Sequence, residues 1–489
     1  MTTRTPSGVV LAQGETGSGF FHRILSLGST RFESVLAGAK LPGSPAVFKR
    51  TYGDAVARFE AARLATPQRV DIATALHDAT LASLEFAKDG ATTPLLESLK
   101  STSVAPPKTV AVGPVTKGAY TPELSLDGTT YRGVAEVRTA LSKLHDAHHL
   151  SDAAFKGLRW LMGFIEARGG TLDLSNERFV LLGASAELSP VGILLAAGAQ
   201  VRWVDVKPPS RDAGAGRIVS SEGGDDLLEN PHAVMAAIRE FAAPGPVHLG
   251  LFAYAPGASR ELRLAGVMDA MVHTLGPDVV KSVSLYISPT SPGELQPEDR
   301  AVSDARAKSL KLWQRGFQAT RLLKPGGYVE AGDTAAVRGV ISLQGAAYQA
   351  AQYLMKILSS EVLATRGIGG RHVTLSTNVA GITNTRSLSH PLFQIAFQGA
   401  PQFGVRIFDP LTTRAASGML MLHDLLNPEA PGAVGRVFAS PVERARAIRS
   451  EQLHGGTYNL PWQFESAVKS AAVFGLGRRP DLLLRRPHR

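Results

Sequence analysis

The sequence predicts an α/β fold: a doubly wound parallel sheet, Rossmann-like, with an additional mostly helical N-terminal region. Three observations carry this expectation. From residue 178 onward, short apolar runs alternate with helical stretches, the pattern of a parallel sheet covered on both faces. The first run leads into a glycine turn at Gly183, and the next ends in an acid, Asp205. Before residue 170 that alternation is missing, and apolar residues recur three and four apart.

Residues 1–50 are rich in Gly and Ser. Ala55 to Leu64 and Val70 to Ala87 carry helical spacing. Pro106 and Pro107 break the chain, and Val110–Val115 reads as a short strand. Glu136–His149 and Asp152–Arg168 read as amphipathic helices, the second capped by Ser151. Gly169 and Gly170 precede a strongly apolar strand, Phe179–Leu182. The helix Val191–Ala197 and the strand Val201–Val206 follow. Further on come helix Val234–Phe241, strand His248–Ala253, helix Leu262–Leu275 and strand Val283–Ile287. A long helix Ser303–Leu323, a strand Tyr328–Glu330, a helix Ala346–Thr365 and a strand His372–Asn378 complete the alternation. The expected division is therefore 1–172 for the N-terminal region, 173–440 for the nucleotide-binding and catalytic domain, and 441–489 for a helical extension with a basic tail.

Composition narrows the function. The chain has 489 residues, 44% hydrophobic and 19% charged, which is ample for a packed core. It has no cysteine, so disulfides, thiolate metal sites and cysteine nucleophiles are excluded together. No run approaches the roughly 18 apolar residues of a membrane span, and a cytoplasmic protein is expected. The net charge is +10, of which the segment from Arg478 carries +4 through Arg478, Arg479, Arg485, Arg486 and Arg489 against Asp481. No basic face interleaved with aromatics is evident, so no nucleic-acid partner is expected. The tail reads as solvated, or as a weak tether to an acidic surface helped by Leu482, Leu483 and Leu484. His145 and His149 have a spacing that can place two ligands on one ion, but no third ligand stands at a matching distance, and no metal is expected.

The nucleotide site is read from Arg178 to Pro190. A strand enters Gly183, where close approach of backbone to a ligand would be tolerated, and a helix begins near Pro190. Gly183, Ala184, Ser185 and Leu188 are the expected cofactor-turn residues. Asp205 can accept hydrogen bonds from the adenosine ribose, which favours NAD over NADP. Arg202, Lys207 and Arg211 nearby keep NADP open, and Glu187 is an acid where a pyrophosphate would lie. Asp225 or Asp226 reads as an adenine contact or as a helix cap. Gly14-Glu-Thr-Gly-Ser-Gly19 has the look of a phosphate loop without its Lys-Ser/Thr pair, and is read as a turn.

The helix beginning Gly345-Ala-Ala-Tyr348 and the later segment Asn378-Val-Ala-Gly381-Ile-Thr-Asn-Thr385 resemble the short-chain dehydrogenase/reductase family. That family has an active-site Tyr opening a long helix, a Lys four residues on, and an Asn-x-Val-x-Pro-Gly-x-x-x-Thr pattern after the next strand. Tyr348 matches the Tyr. Asn378, Val379, Gly381 and Thr385 match the later pattern, with Ala380 in place of Pro. The resemblance covers roughly residues 178–400. It implies NAD(P)(H)-dependent oxidation or reduction of a carbonyl or alcohol, with Tyr348 as proton donor, cofactor contacts from Asn378, Gly381 and Thr385, and a homo-oligomer. Position 352 is Gln, not Lys, so the usual cation on the tyrosine's helix face is replaced by a neutral amide. Lys356 is about 12 Å further along a regular helix. Thr334 best fits the offset of the family's serine, Ser342 fits a tighter loop, and Ser288, Thr290 and Ser291 are third choices. Two readings follow from Gln352: an active reductase with a modified proton relay, or the same fold with lost or altered chemistry.

A second class is an S-adenosylmethionine-dependent methyltransferase, suggested by Leu323-Lys-Pro-Gly-Gly-Tyr328 after a long helix. That turn also reads as a generic helix stop. Phe393, Phe397, Phe403 and Phe408 follow the cofactor half and suggest a bulky hydrophobic small-molecule substrate, or a subunit contact.

Overall fold

The computed structural model describes residues 7–12, 15–210, 212–257 and 259–478. Arg479, Arg485, Arg486 and Arg489 of the basic tail, Gly14 and Arg211 lie outside the described residues.

Seven strands form the central sheet: β1 (Thr109–Val112), β2 (Arg178–Leu182), β3 (Gln200–Val204), β4 (Arg217–Ser221), β5 (Val247–Leu251), β6 (Val280–Leu285) and β7 (Thr374–Ser376). Their order is β7-β6-β5-β2-β3-β4-β1. Every neighbouring pair is parallel except the edge pair β4–β1. The parallel strands wind outward in both directions from β2 and β5, the doubly wound order of dinucleotide-binding folds. The carboxyl ends of β2 and β5 therefore flank the point where such folds bind ligand.

Alternation along β2 shows why the strand is apolar throughout. Val180 and Leu182 enter one core, and Phe179 and Leu181 enter the other. The first face is covered by α1 (Gly17–Arg31), α2 (Pro45–Leu64), α3 (Arg69–Ala82), α7 (Pro231–Phe241), α8 (Arg260–Leu275) and the long helix α9. Helix α9 comprises Ala346–Gln352, a π-helical stretch Tyr353–Leu358, and Ser359–Arg366. The second face is covered by α4 (Gly133–Asp146), α5 (Asp152–Glu166), α6 (Val191–Ala196) and α11 (Pro410–Leu426). Beyond the sheet's carboxyl edge, α10 (Pro391–Gly399) packs along α12 (Phe464–Arg478).

The N-terminal region is mostly helical, and it also supplies β1 and a small antiparallel sheet of Gly8–Leu11, Leu84–Lys88 and Ala91–Pro94. Its first three helices share the first apolar core with the sheet, and α4 and α5 share the second. A buried ion network ties α2 and α3 to α9. Arg63 lies 2.8 Å from Glu60 and 2.9 Å from Glu361, Arg69 lies 3.0 Å from Glu361, and Arg449 lies 3.0 Å from Glu60. The Tyr353 hydroxyl, in the π stretch, donates to Glu60 at 2.7 Å. Removing one member of such a network leaves a buried charge unpaired.

Several elements differ from expectation. The run expected as helix up to Ala87 ends at Ala82 and continues as the strand Leu84–Lys88, which pairs with Gly8–Leu11 on one side and with Ala91–Pro94 on the other. The strand β4 was unmarked because only Ile218 and Val219 interrupt its polar run Arg217–Ser221. The single helix expected over Ser303–Leu323 is two, Pro297–Lys308 and Leu312–Ala319. Tyr328–Ala331 pairs with Thr334–Val337 in a separate hairpin instead of joining the sheet. Ser151 does cap α5, accepting from the Ala154 amide. Among the described residues, no helix is long and apolar enough to cross a membrane.

Candidate nucleotide and active site

At the end of β2 the turn is built around Gly183, whose φ is +87°. A Cβ at this position would lie 2.3 Å from the Ala253 backbone. The close approach that Gly183 permits is therefore to the protein's own chain after β5, and not to the backbone side of a ligand as the sequence suggested. The Gly183 and Ala184 amides donate to the Val204 carbonyl, and the Ala186 and Ser189 amides donate within the turn. Ser185 donates to Asp205 Oδ2 through its amide at 3.0 Å and its hydroxyl at 2.7 Å. Asp205 is half-buried at the end of β3, one oxygen engaged by Ser185 and the other by the Lys207 amide at 3.3 Å. Leu188 packs at the margin of the second core.

Glu187 is compensated. Its carboxylate accepts from the Arg386 amide at 3.0 Å, and its carbonyl accepts from the Arg414 guanidinium at 2.8 Å. The loop after β7 thus reaches across to the turn after β2. Asp225 turns inward. Its carboxylate meets Arg202 at 3.1 Å and the Ser221 hydroxyl at 2.8 Å, and its amide donates to the Asp205 carbonyl. This buried pairing, rather than an open face for adenine, is where the structure puts that acid. Asp226 accepts from the Leu228 and Glu229 amides, as a turn-forming acid does.

The second cluster lies at the end of β6. Ser288 and Thr290 stand with their hydroxyls 2.8 Å apart, and both lie close enough to Tyr348 at the start of α9 to act on its phenol. Tyr348 is partly exposed. Burial, with the neighbouring Glu261 carboxyl, holds its phenol far above the usual range, while the Ser288 and Thr290 hydroxyls act in the opposite sense. Gln352 does not reach outward: its Oε1 accepts from the Ser288 amide at 3.1 Å, fixing the strand end that carries the hydroxyls. Gln349 donates to the Thr290 carbonyl at 2.8 Å and braces the same loop.

Of the two favoured serine substitutes, neither is in the cluster. Thr334 donates to the Ala331 carbonyl of its own hairpin, and Ser342 donates to Glu465 of α12. Ser288 and Thr290 take that place. They close an apolar strand, which was the available signal. The segment 292–341 lies between them and α9, so no short spacing to Tyr348 marks them in the sequence.

Lys356 lies within the π stretch of α9, where regular helix geometry does not hold. At 100° per residue, position eight lies about 80° off the face of Tyr348. The π stretch turns less per residue and brings Lys356 back towards that face. Lys356 Nζ lies 3.8 Å from Glu261 Oε1, and the same acid acts on Tyr348. Burial lowers the lysine and raises the acid, and each opposes the effect of burial on the other. Glu261 is held by the Ala255 amide at 3.1 Å.

The later motif runs beside Ser288. Asn378 accepts from the Ile287 amide and the Ala380 amide donates to the Ile287 carbonyl. The Asn378 side-chain amide donates to the Ser417 carbonyl at 3.4 Å, Gly381 packs against the Phe408 ring, and the Thr385 amide donates to the Thr383 carbonyl. From Thr290 a narrow apolar crevice, with a cavity volume of only about 30 Å³, runs between α10 and α12, lined in part by Phe393, Phe397, Phe403 and Ala467. Phe408 lies elsewhere, in the second core.

Other candidates take structural places. The helix after Gly14 packs Gly17 against Ala347, and Thr16 caps it by accepting from the Gly19 amide. In the Lys324-Pro-Gly-Gly turn, Gly326 donates to the Pro461 carbonyl, so the turn braces the C-terminal segment. His145 stacks on Phe155 and contacts Asp152 at 2.9 Å, while His149 faces Arg406, so the two do not converge. No family model and no curated protein matches the chain; its strand order is that of a doubly wound, Rossmann-like fold.

Proposed function

We propose that the protein is a divergent short-chain dehydrogenase/reductase-like enzyme that uses NAD(P)(H) to interconvert a carbonyl and an alcohol on a hydrophobic small molecule. The observation that carries this reading is the Ser288–Thr290–Tyr348 cluster at the end of β6, at the mouth of an apolar pocket. A bound nicotinamide would supply hydride. Asp205 would take the adenosine ribose, and Arg386 and Arg414, more than the engaged turn amides, would face the pyrophosphate. Ser288 and Thr290 would hold the substrate oxygen by donating to it as negative charge develops. Tyr348, kept protonated by its surroundings, would hand that oxygen its proton. Glu261 and Lys356 would replace the family's single lysine as the charge pair behind the phenol.

The internally satisfied turn amides and the neutral Gln352 favour one competing reading, a fold that keeps the site's shape and has altered chemistry. Reduction of ketones of graded chain length with NADH and NADPH separates the two. The reductase reading expects turnover that Tyr348→Phe lowers by roughly 10²–10⁴-fold. Turnover unaffected by Tyr348→Phe, or none with any ketone, supports the competing reading.

A further inference from the structure

A second cluster of functional groups lies on the opposite face of the sheet, in the core that α5 and α11 cover. His423 and Asp424 are adjacent on α11, and Glu451 comes from an extended segment whose backbone pairs with Val379. His423 Nδ1 lies 2.9 Å from Glu451 Oε1 and 3.7 Å from Asp424 Oδ1. The three side chains are only 5%, 4% and 3% exposed. Nδ1, Oδ1 and Oε1 nevertheless have no hydrogen-bond partner. The 2.9 Å approach thus lacks donor-to-acceptor alignment, as when two atoms face a common third.

Charge makes the same point. Among the described residues, neither acid forms an ion pair with a lysine or arginine. Two buried carboxyls side by side must hold a proton or a cation. The rest of the shell is prepared: the Ser376 hydroxyl donates to Asp424 Oδ2 at 2.6 Å, leaving Oδ1 free. On the facing helix, Gly157 keeps the space open, since a Cβ there would lie 2.7 Å from Glu451 Oε1 and 2.8 Å from His423 Nδ1. A cleft of about 350 Å³, with Lys156 and Arg436 in its walls, reaches His423 and Glu451 from outside.

We propose that His423, Asp424 and Glu451 bind one divalent first-row transition-metal ion, with a coordination position open to this cleft. One imidazole and two carboxylates suit such ions, and three protein ligands beside an accessible cleft leave room for water. The three ligand atoms lie within 4.8 Å of one another, as a shared ion requires. Loading needs one adjustment. Asn427 Nδ2 lies 2.9 Å from His423 Nε2, while the Asn427 Oδ1 accepts from the Glu429 amide. With Nδ1 on the metal, Nε2 carries the proton, so the Asn427 amide turns over to accept from it and gives up the Glu429 bond.

The test uses the full chain, stripped with a chelator and titrated separately with Zn²⁺, Mn²⁺ and Co²⁺, with bound metal counted by mass spectrometry and Co²⁺ followed by its visible absorption. The expected result is one equivalent bound per chain with micromolar or tighter affinity. Asp424→Asn and Glu451→Gln should each weaken binding by more than the roughly 10–100-fold that an outer partner costs. Both substitutions keep side-chain size and remove buried charge, so the apo variants should melt no lower than the apo parent, which separates lost binding from lost folding. Failure of all three ions to bind stoichiometrically to the folded parent, or binding unchanged in both variants, overturns the proposal.

Discussion

Glu261 lies 3.8 Å from Lys356 and also acts on the Tyr348 phenol, so one buried acid of α8 addresses two positions of α9 separated by a π turn. This relationship organises the cluster at the end of β6. Replacing only the lysine, as in Lys356→Met, strands Glu261 in the interior. A loss of about 3 kcal/mol in unfolding free energy is expected from urea titration. The double variant Lys356→Met/Glu261→Gln should recover much of that loss, because no uncompensated charge remains. A double variant as unstable as the single one would show that the pair is not what holds these groups.

His77 gives the fold a pH dependence of known sign. It lies 2.7 Å from Asp269 and 3.4 Å from Asp78, with the His273 ring 5.2 Å away. Burial disfavours its charged form, but the two acids outweigh burial and raise its pKa to about 9. An unfolded histidine titrates near 6.5. The stabilisation is therefore complete below about pH 6.5 and is lost as pH rises through about 9. The stability difference between the parent and His77→Gln should shrink by about 3 kcal/mol across that window. A difference that grows with pH would contradict the assignment of a charged His77.

The apolar pocket makes a prediction about chain length. Ala467 lies in its wall with Phe397 and Phe403. A ring at this position, in Ala467→Phe, takes up space that an extended substrate tail would occupy. Each methylene excluded should lower kcat/KM by about fourfold, at about 0.8 kcal/mol per buried CH₂. Short ketones should be unaffected. A uniform fall at all chain lengths would point to disturbed packing between α10 and α12 instead.

Much of the architecture was legible because its signals are local. The apolar runs at Phe179–Leu182 and Val283 onward, the glycine after the first, and the helix opening at Tyr348 each lie within a few residues. What was not legible depends on distant partners. Leu84–Lys88 lies between Gly8–Leu11, distant in sequence, and Ala91–Pro94, its partner across the turn at Asp89-Gly90. Ser288 reaches Tyr348 only through the fold, since 60 residues separate them in sequence. The π stretch around Lys356, and its approach to Glu261, have no sequence signal. Asp225 looked like an open acid because nothing in the sequence pairs it with Arg202 on the neighbouring strand. The cluster of His423, Asp424 and Glu451 joins a helix to a segment with no motif spacing at all.

The central claim is a nicotinamide coenzyme lying across the ends of β2, β3 and β6. Trp203, on β3 two residues before Asp205, is placed to report on it. Titration of the protein with NADH and NADPH, followed by tryptophan fluorescence, tests the claim most directly. The account predicts saturable quenching by NADH, retained in Tyr348→Phe and weakened roughly tenfold or more in Asp205→Asn, the scale of a lost charged hydrogen bond. Absence of saturable binding by both nucleotides, in protein that is folded by circular dichroism, would contradict it.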